Sequence, residues 1–259
     1  MLDSGLCLSS SIVGSENNLL MRSRIKSLYN RIFTNTSAGV EKFAIPRGKV
    51  IIEFIGPPGV GKTTLKNAVL KQVQLYIHDK AEVKYLRNGV SDDCPYWQLL
   101  GKKMERIEGL VDGVQDRFKA LDFFIREIKI ESEIRRTLHD SYIMDEGLCH
   151  NFNSELLTLT DESFLRCIEN RWIIYLRPEN PKAIVERLIQ RAQSAKQVVF
   201  YHQGKAPDEL ERLTLQSCEN LDRFIIRFKS FSSNLLILNA EDSFETNMNA
   251  SLAYIKKLA

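Results

Sequence analysis

The 259-residue sequence has no run of about 18 apolar residues, the length needed to cross a bilayer as a helix. No membrane span is therefore expected. Residues 1–15 lack the basic start and the apolar stretch of a secretion signal, so a cytoplasmic protein is expected. The five cysteines, Cys7, Cys94, Cys149, Cys167 and Cys218, are odd in number and widely spaced. They offer neither an even disulfide framework nor a Cys-x-x-Cys pair for zinc, and are expected to be reduced thiols. Lys and Arg total 36 against 33 Asp and Glu, a net charge of +3. That excess is too small to argue for a nucleic-acid partner. Internal repeats and low-complexity tracts are also lacking.

What is present is concentrated between Val50 and Thr64. An apolar run, Val50 to Ile55, leads into Gly56-Pro57-Pro58-Gly59-Val60-Gly61-Lys62-Thr63-Thr64. This stretch matches Gly-x-x-x-x-Gly-Lys-[Ser/Thr] at every fixed position. Glycines let a backbone wrap an anion without Cβ clashes. The helix beginning near Gly61 would point unpaired N–H groups and the positive end of its dipole at that anion. Lys62 is placed to reach the β- and γ-phosphates of ATP, and the Thr63 hydroxyl to bind Mg²⁺. An ordinary glycine turn would explain these residues poorly, because a lysine buried there without an anion is costly. Leu65, Val69, Leu70, Val73 and Ile77 then share one helical face.

The rest of the chain alternates. Residues 1–46 form an extension with a basic amphipathic helix over 16–33, carrying Arg22, Arg24, Lys26 and Arg31, and a linker. That helix suits packing on the main domain or a sister subunit, or docking on a partner or an anionic membrane surface. Residues 47–259 form the main domain. Strands are expected at Glu82–Leu86, Tyr142–Met144, Trp172–Leu176 and Leu235–Leu238, besides the one before Gly56. Helices are expected over Tyr96–Ile107, Val114–Leu138, Ser154–Asn170, Pro181–Gln193, Asp208–Phe231 and Phe244–Leu258, the last capped by Ser243. The class is α/β, a three-layer sandwich with a mostly parallel five-stranded sheet. Ligands of such sheets bind at the carboxyl ends of the strands.

Two further groups fit chemistry at that edge. Asp145-Glu146 closes an apolar strand, where a carboxylate is the expected partner of Mg²⁺. Asp145 would serve the metal and Glu146 would orient or deprotonate an attacking hydroxyl, or the roles are exchanged. Arg187 and Arg191 are four apart on one helix, so they share a face and suit a clamp on phosphoryl oxygens. Residues 192–207, with Lys196, His202 and Lys205, have the composition of a lid.

With these residues in view the sequence resembles the P-loop nucleoside and nucleotide kinases from about Lys49 to Ala259. The resemblance rests on Gly56–Thr63, Asp145-Glu146, Arg187 and Arg191 after Leu176-Arg177-Pro178, and the closing strand with Asn239-Ala240-Glu241-Asp242. It implies a P-loop kinase-like fold with the phosphate-loop strand at the centre of the sheet. It also implies an acceptor pocket built by the helical region 87–140, and a base-binding loop at Asn239–Asp242. The implied reaction is Mg²⁺- and ATP-dependent phosphoryl transfer to a small molecule: a nucleotide, a nucleoside, a sugar or a similar compound. The third-strand pair is Asp-Glu, not the Asp-Arg or Glu-Arg-Ser of several subfamilies, so the acceptor stays open. Arg117 and Arg126 are candidates for an acceptor phosphate. Asn-Lys-x-Asp for guanine and the Leu-Ser-Gly-Gly-Gln signature of ABC-type ATPases are both missing. One helix after the last strand is too little for the lid domain of an AAA-type motor. The remaining rivals are a nucleotide-binding ATPase or switch module acting on a protein partner, and a structural relative that binds nucleotide without turnover, against which Lys62, Thr63 and Asp145 argue.

Overall fold

The computed structural model describes residues 43–44, 50–74, 77–80, 95–111, 113–136, 141–194 and 205–258. The chain divides into two units, 1–41 and 42–259, and the described residues belong to the second. The expected helix over 16–33, the expected strand Glu82–Leu86 and residues 195–204 of the candidate lid lie outside the described residues.

The strands are β1 (Phe43–Ala44), β2 (Ile51–Ile55), β3 (Val73–Gln74), β4 (Ile77–Asp79), β5 (Ser141–Asp145), β6 (Arg171–Arg177) and β7 (Leu235–Asn239). The helices are α1 (Lys62–Gln72), α2 (Trp97–Leu110), α3 (Val114–Arg136), α4 (Leu148–Asn151), α5 (Asn153–Leu156), α6 (Asp161–Ile168), α7 (Pro181–Ser194), α8 (Pro207–Phe231) and α9 (Phe244–Lys256). Five strands pair in the order β4-β5-β2-β6-β7, every pair parallel. The phosphate-loop strand β2 is central, as a P-loop kinase-like fold requires. Its register sets Phe54 opposite Asp145 on β5 and Ile174 on β6, so the strand ends that carry Gly56 and Asp145 emerge side by side.

Strand alternation distributes the core to both faces. Ile52 and Phe54 of β2 and Ile174 and Leu176 of β6 pack with Leu65, Val69, Ile184 and Ile255 from α1, α7 and α9. Ile55, Ile173 and Tyr175 face the other way, onto Leu99, Phe124, Phe152, Phe164, Phe224 and Phe228 from α2, α3, the α4–α6 segment and α8. Each fully buried side chain of this kind stabilises the fold by about 1.5–3 kcal/mol. Three layers result, and the central sheet is covered on both sides.

Two expectations are corrected. The helix after the phosphate loop does not run to Ile77. It ends at Gln72, Val73–Gln74 pairs in parallel with Phe43–Ala44, and Ile77–Asp79 becomes the edge strand beside β5. Val73 and Ile77 fit a helical stripe by spacing, yet β-branched residues also suit a strand, and β5 offers an unpaired edge. The single helix expected over Ser154–Asn170 is two pieces, α5 and α6, parted at 157–160. Thr160 restarts it, accepting a hydrogen bond from the Ser163 amide at 3.3 Å. Arg227 on α8 closes the gap by donating to the carbonyls of Leu156, Leu157 and Leu159.

Candidate active site

The loop after β2 carries three glycines at positive φ: Gly56 at 151°, Gly59 at 85° and Gly61 at 106°. At Gly56 a Cβ would lie 2.7 Å from the Leu176 carbonyl oxygen and 2.9 Å from Val60 Cγ1. Glycine is needed there for space as well as for dihedral freedom. Gly56→Ala is expected to destabilise the chain by about 1–3 kcal/mol. Urea unfolding would register this as a lowered midpoint at unchanged slope. Gly61 caps α1 with a left-handed backbone and no side-chain acceptor, so the first amides of α1, at Lys62, Thr63 and Thr64, are not capped by a side chain.

Lys62 opens α1 with its side chain only 4 % exposed. Its Nζ donates to the carbonyls of Gly56 at 2.8 Å and Pro57 at 3.1 Å, and lies 3.8 Å from Glu146 Oε1. Thr63 donates its hydroxyl proton to Asp145 Oδ2. The other oxygen of Asp145 pairs with Lys66 Nζ at 3.2 Å, and Lys66 also holds Asp79 Oδ2 at 2.6 Å. Burial works against the charged form of Asp145, but the Thr63 hydroxyl and the Lys66 ammonium outweigh it and hold the carboxyl below the usual carboxylate range. The structure therefore brings together Lys62, Thr63, Asp145 and Glu146 at the ends of two neighbouring strands.

Glu146 adopts φ 59°, a left-handed conformation that costs a non-glycine residue about 1–2 kcal/mol. Its backbone carbonyl is held from two sides, by Lys80 Nζ at 2.9 Å and Asn151 Nδ2 at 2.6 Å. Lys80 and Asn151 both also contact Glu127 Oε2 on α3. The Glu146 carboxylate is 46 % exposed and faces outward beside Lys62.

Beneath this surface lies a buried ionic group that sequence reasoning missed. Glu53, Glu131 and Arg171 are each 0–1 % exposed. Arg171 Nη1 pairs with Glu53 Oε2 at 3.0 Å, Arg171 Nη2 with Glu131 Oε2, and Arg171 Nε donates to the Cys167 carbonyl. The two carboxylates also accept from the opening amides of α4. Leu148 N–H donates to Glu131, and Cys149 and His150 N–H donate to Glu53. The group thus anchors the segment that follows Glu146. A charged residue within the otherwise apolar run Val50–Ile55 was the one available signal.

His150 is half-buried, its Nδ1 enclosed, beside Lys62, Lys80 and Lys103. Burial first, then those three cations, push its pKa well below the ordinary value, so the imidazole is neutral. Its Nδ1 has no hydrogen-bond partner among the described residues. Arg187 is exposed on α7, while its neighbours Ile184 and Leu188 approach the Gly59 position. The side chain of Arg191 lies outside the described residues. Arg117 is turned to the Val111 carbonyl at 2.7 Å, and Arg126 sits 5.8 Å from the Phe123 ring centroid. Arg177 pairs with Asp222, and Glu241 accepts the amides of Glu179 and Asn180, which joins the loops after β6 and β7.

No family model matches the sequence, and no curated protein matches it. Among solved structures, the chain is similar to a shikimate kinase from Bacteroides thetaiotaomicron, at 20% identity over 80% of this chain and 98% of that one, with a TM-score of 0.46. It is similar to a gluconokinase from Sinorhizobium meliloti 1021, at 12% identity over 82% and 95% of the two chains, with a TM-score of 0.41. It is also similar to a deoxyadenosine kinase from M. mycoides with bound dATP, at 16% identity over 80% and 99%, with a TM-score of 0.43. The chemistry of the site rests on the residues around Lys62 and not on these likenesses.

Proposed function

We propose that this protein transfers the γ-phosphoryl group of ATP to a hydroxyl of a small acceptor, with Mg²⁺. The observation that carries the proposal is the convergence of Thr63 with Asp145, and of Lys62 with Glu146, where β2 and β5 end side by side. The residues fit both groups. Three positive-φ glycines and the α1 amides, uncapped by any side chain, suit phosphate oxygens. Thr63 and Asp145 present two hard oxygen donors at one point, the ligand type Mg²⁺ takes, with the rest of its shell drawn from phosphate and water. When bound, the ion neutralises charge on the phosphates.

The chain's own groups divide the work. Gly56 to Thr64, including Pro57, Pro58, Gly59 and Val60, cradle the phosphates, and the Lys62 ammonium moves from loop carbonyls to phosphate oxygens. Asp145, ionised and tied to Thr63 and Lys66, is the metal carboxylate. Glu146, outward-facing and half exposed, accepts the acceptor's hydroxyl proton. The acceptor oxygen bonds to the γ-phosphorus, the bond to the bridging oxygen breaks, and ADP leaves with that electron pair. Arg187 and Arg191 are proposed to steady the transferring group from α7, leading into a lid at 192–207.

Differential scanning of the full chain with Mg²⁺-ATP tests binding. At ATP a hundred times its Kd, stability rises by about 2.7 kcal/mol, a Tm gain of roughly 5–10 °C for a chain of this size. No shift at millimolar nucleotide would count decisively against a kinase. Phosphate release in the absence of acceptor is expected to be slow, because water is excluded at the moment of transfer. Release that rises only with an added protein partner would instead identify an ATPase switch.

A further inference from the structure

A cavity of about 320 Å³ opens beside the phosphate loop, between α2, α3, the α4–α5 segment and the first turns of α8. Pro58 forms its phosphate-loop edge. His150 and Asn151 form the edge toward Glu146, since Asn151 also holds the Glu146 carbonyl at 2.6 Å. An acceptor seated there would present its hydroxyl to the groups that face ATP.

The charge of this cavity is lopsided. Lys103, Arg106, Lys205 and Arg212 line it, and Glu209 is the one carboxylate among the lining residues described. Behind the wall, Glu155 is 3 % exposed and is shared between Lys103 at 3.0 Å and Arg106 at 3.3 Å. Glu209 is taken by Lys205 at 2.7 Å. Arg212 forms no ion pair among the described residues. Four cations therefore share two carboxylates, and His150 adds a neutral ring. Lys103 is itself inside the wall, its Nζ 4.7 Å from the Phe124 ring centroid and 5.4 Å from that of Phe152. Cations gathered in a recess with too few counter-charges are costly, and an entering anion offsets that cost. A neutral sugar or nucleoside would leave the imbalance in place. Guanidinium groups at a cavity mouth match the paired oxygens of carboxylate and phosphate alike.

We infer that the acceptor carries an anionic group, a carboxylate or a phosphate, in addition to the hydroxyl that is phosphorylated, and that Arg106 and Arg212 hold this group. The inference rests on the kinase reading and narrows its acceptor class.

The test uses the full chain with Mg²⁺-ATP and sets of matched compounds: a nucleoside with its monophosphate, and a hexose with its aldonic acid and its hexose phosphate. ADP formation is the readout. At least one anionic member should exceed its neutral counterpart at least tenfold in kcat/KM, and the carboxylate and phosphate arms identify which anion is used. Arg106→Gln, at a half-buried side chain, and Arg212→Gln, at an exposed one, should each raise the acceptor KM about tenfold with a much smaller change in kcat, equivalent to about 1.4 kcal/mol of uniform binding. A neutral member preferred to or equal with its anionic partner would overturn the inference and leave the kinase reading standing. So would turnover of no anionic member while the Mg²⁺-ATP thermal shift persists, or arginine variants with unchanged KM. Loss of the thermal shift itself would remove the kinase reading, and this inference with it.

Discussion

Asp145→Asn is expected to lower phosphoryl transfer about a thousand-fold, roughly 4 kcal/mol of transition-state stabilisation, while the chain stays folded. Asparagine keeps the shape of the side chain and still accepts the Thr63 hydroxyl, but it cannot supply the negative charge that a metal ion requires. The fold tolerates the change because Lys66 keeps Asp79, 2.6 Å away, as its second carboxylate. The loss of native stability should be no more than about 1–2 kcal/mol. ADP formation measured beside a thermal melt separates the two effects. A variant that melts normally and still turns over within tenfold of the parent would remove Asp145 from the metal site. The same carboxyl sets a pH signature. Its folded pKa lies below the unfolded value, because Thr63 and Lys66 outweigh burial. Its stabilising contribution is therefore complete above the unfolded pKa of about 3.9 and is lost as pH falls through the lower folded value. Asp145→Asn should consequently flatten part of the acid limb of stability, below about pH 4, and change nothing near neutrality beyond the fixed offset.

Arg171→Met is expected to destabilise the chain by about 3–5 kcal/mol, a fall in Tm of roughly 6–20 °C. The side chain is wholly buried between Glu53 and Glu131, and removing it leaves two carboxylates in the core with no cation, only the opening amides of α4 and the Cys149 thiol beside them. Burial already pushes the Glu53 carboxyl upward against the pull of Arg171 and the His150 and Cys149 amides. Without Arg171 that carboxyl should take up a proton at higher pH. The triple variant Glu53→Gln, Glu131→Gln, Arg171→Met removes the uncompensated charge and should recover a large part of the lost stability. Equal stability of Arg171→Met and the parent in urea would show that the ionic group adds nothing to the fold. An effect on turnover is also expected from the single variant. The two carboxylates fix the opening amides of α4, and so the backbone immediately after Glu146.

The turn and helix start at Gly56–Thr63 were legible in the sequence, because their geometry is local. Gly56 and Gly61 at positive φ and the opening of α1 at Lys62 depend on one turn and the first residues of one helix. The strand ending in Asp145 was legible for a related reason, a short apolar run stopped by carboxylates. What failed at this level was the end of α1. Helical spacing of Val73 and Ile77 cannot reveal that a strand edge on β5 is waiting to be paired. Arg187 shows the same limit. Its spacing from Arg191 is a property of the helix, whereas its exposure depends on how Ile184 and Leu188 seat α7 over the loop.

The sequence by itself determined the strand before Gly56, the glycine turn into α1, the alternation of strands and helices, and the presence of Asp145-Glu146 at a strand end. Each follows from interactions among residues a few positions apart. Only the tertiary structure decided the surroundings of each charged group at the candidate site. It placed Asp145 on Thr63 and Lys66 and left Glu146 facing outward. It buried Glu53, Arg171 and Glu131 together under α4, and it gathered Lys103, Arg106 and Arg212 around one cavity. These groups come from positions tens to more than a hundred residues apart. Their charges acquire meaning only through burial and distance, and neither exists until the sheet has closed its register.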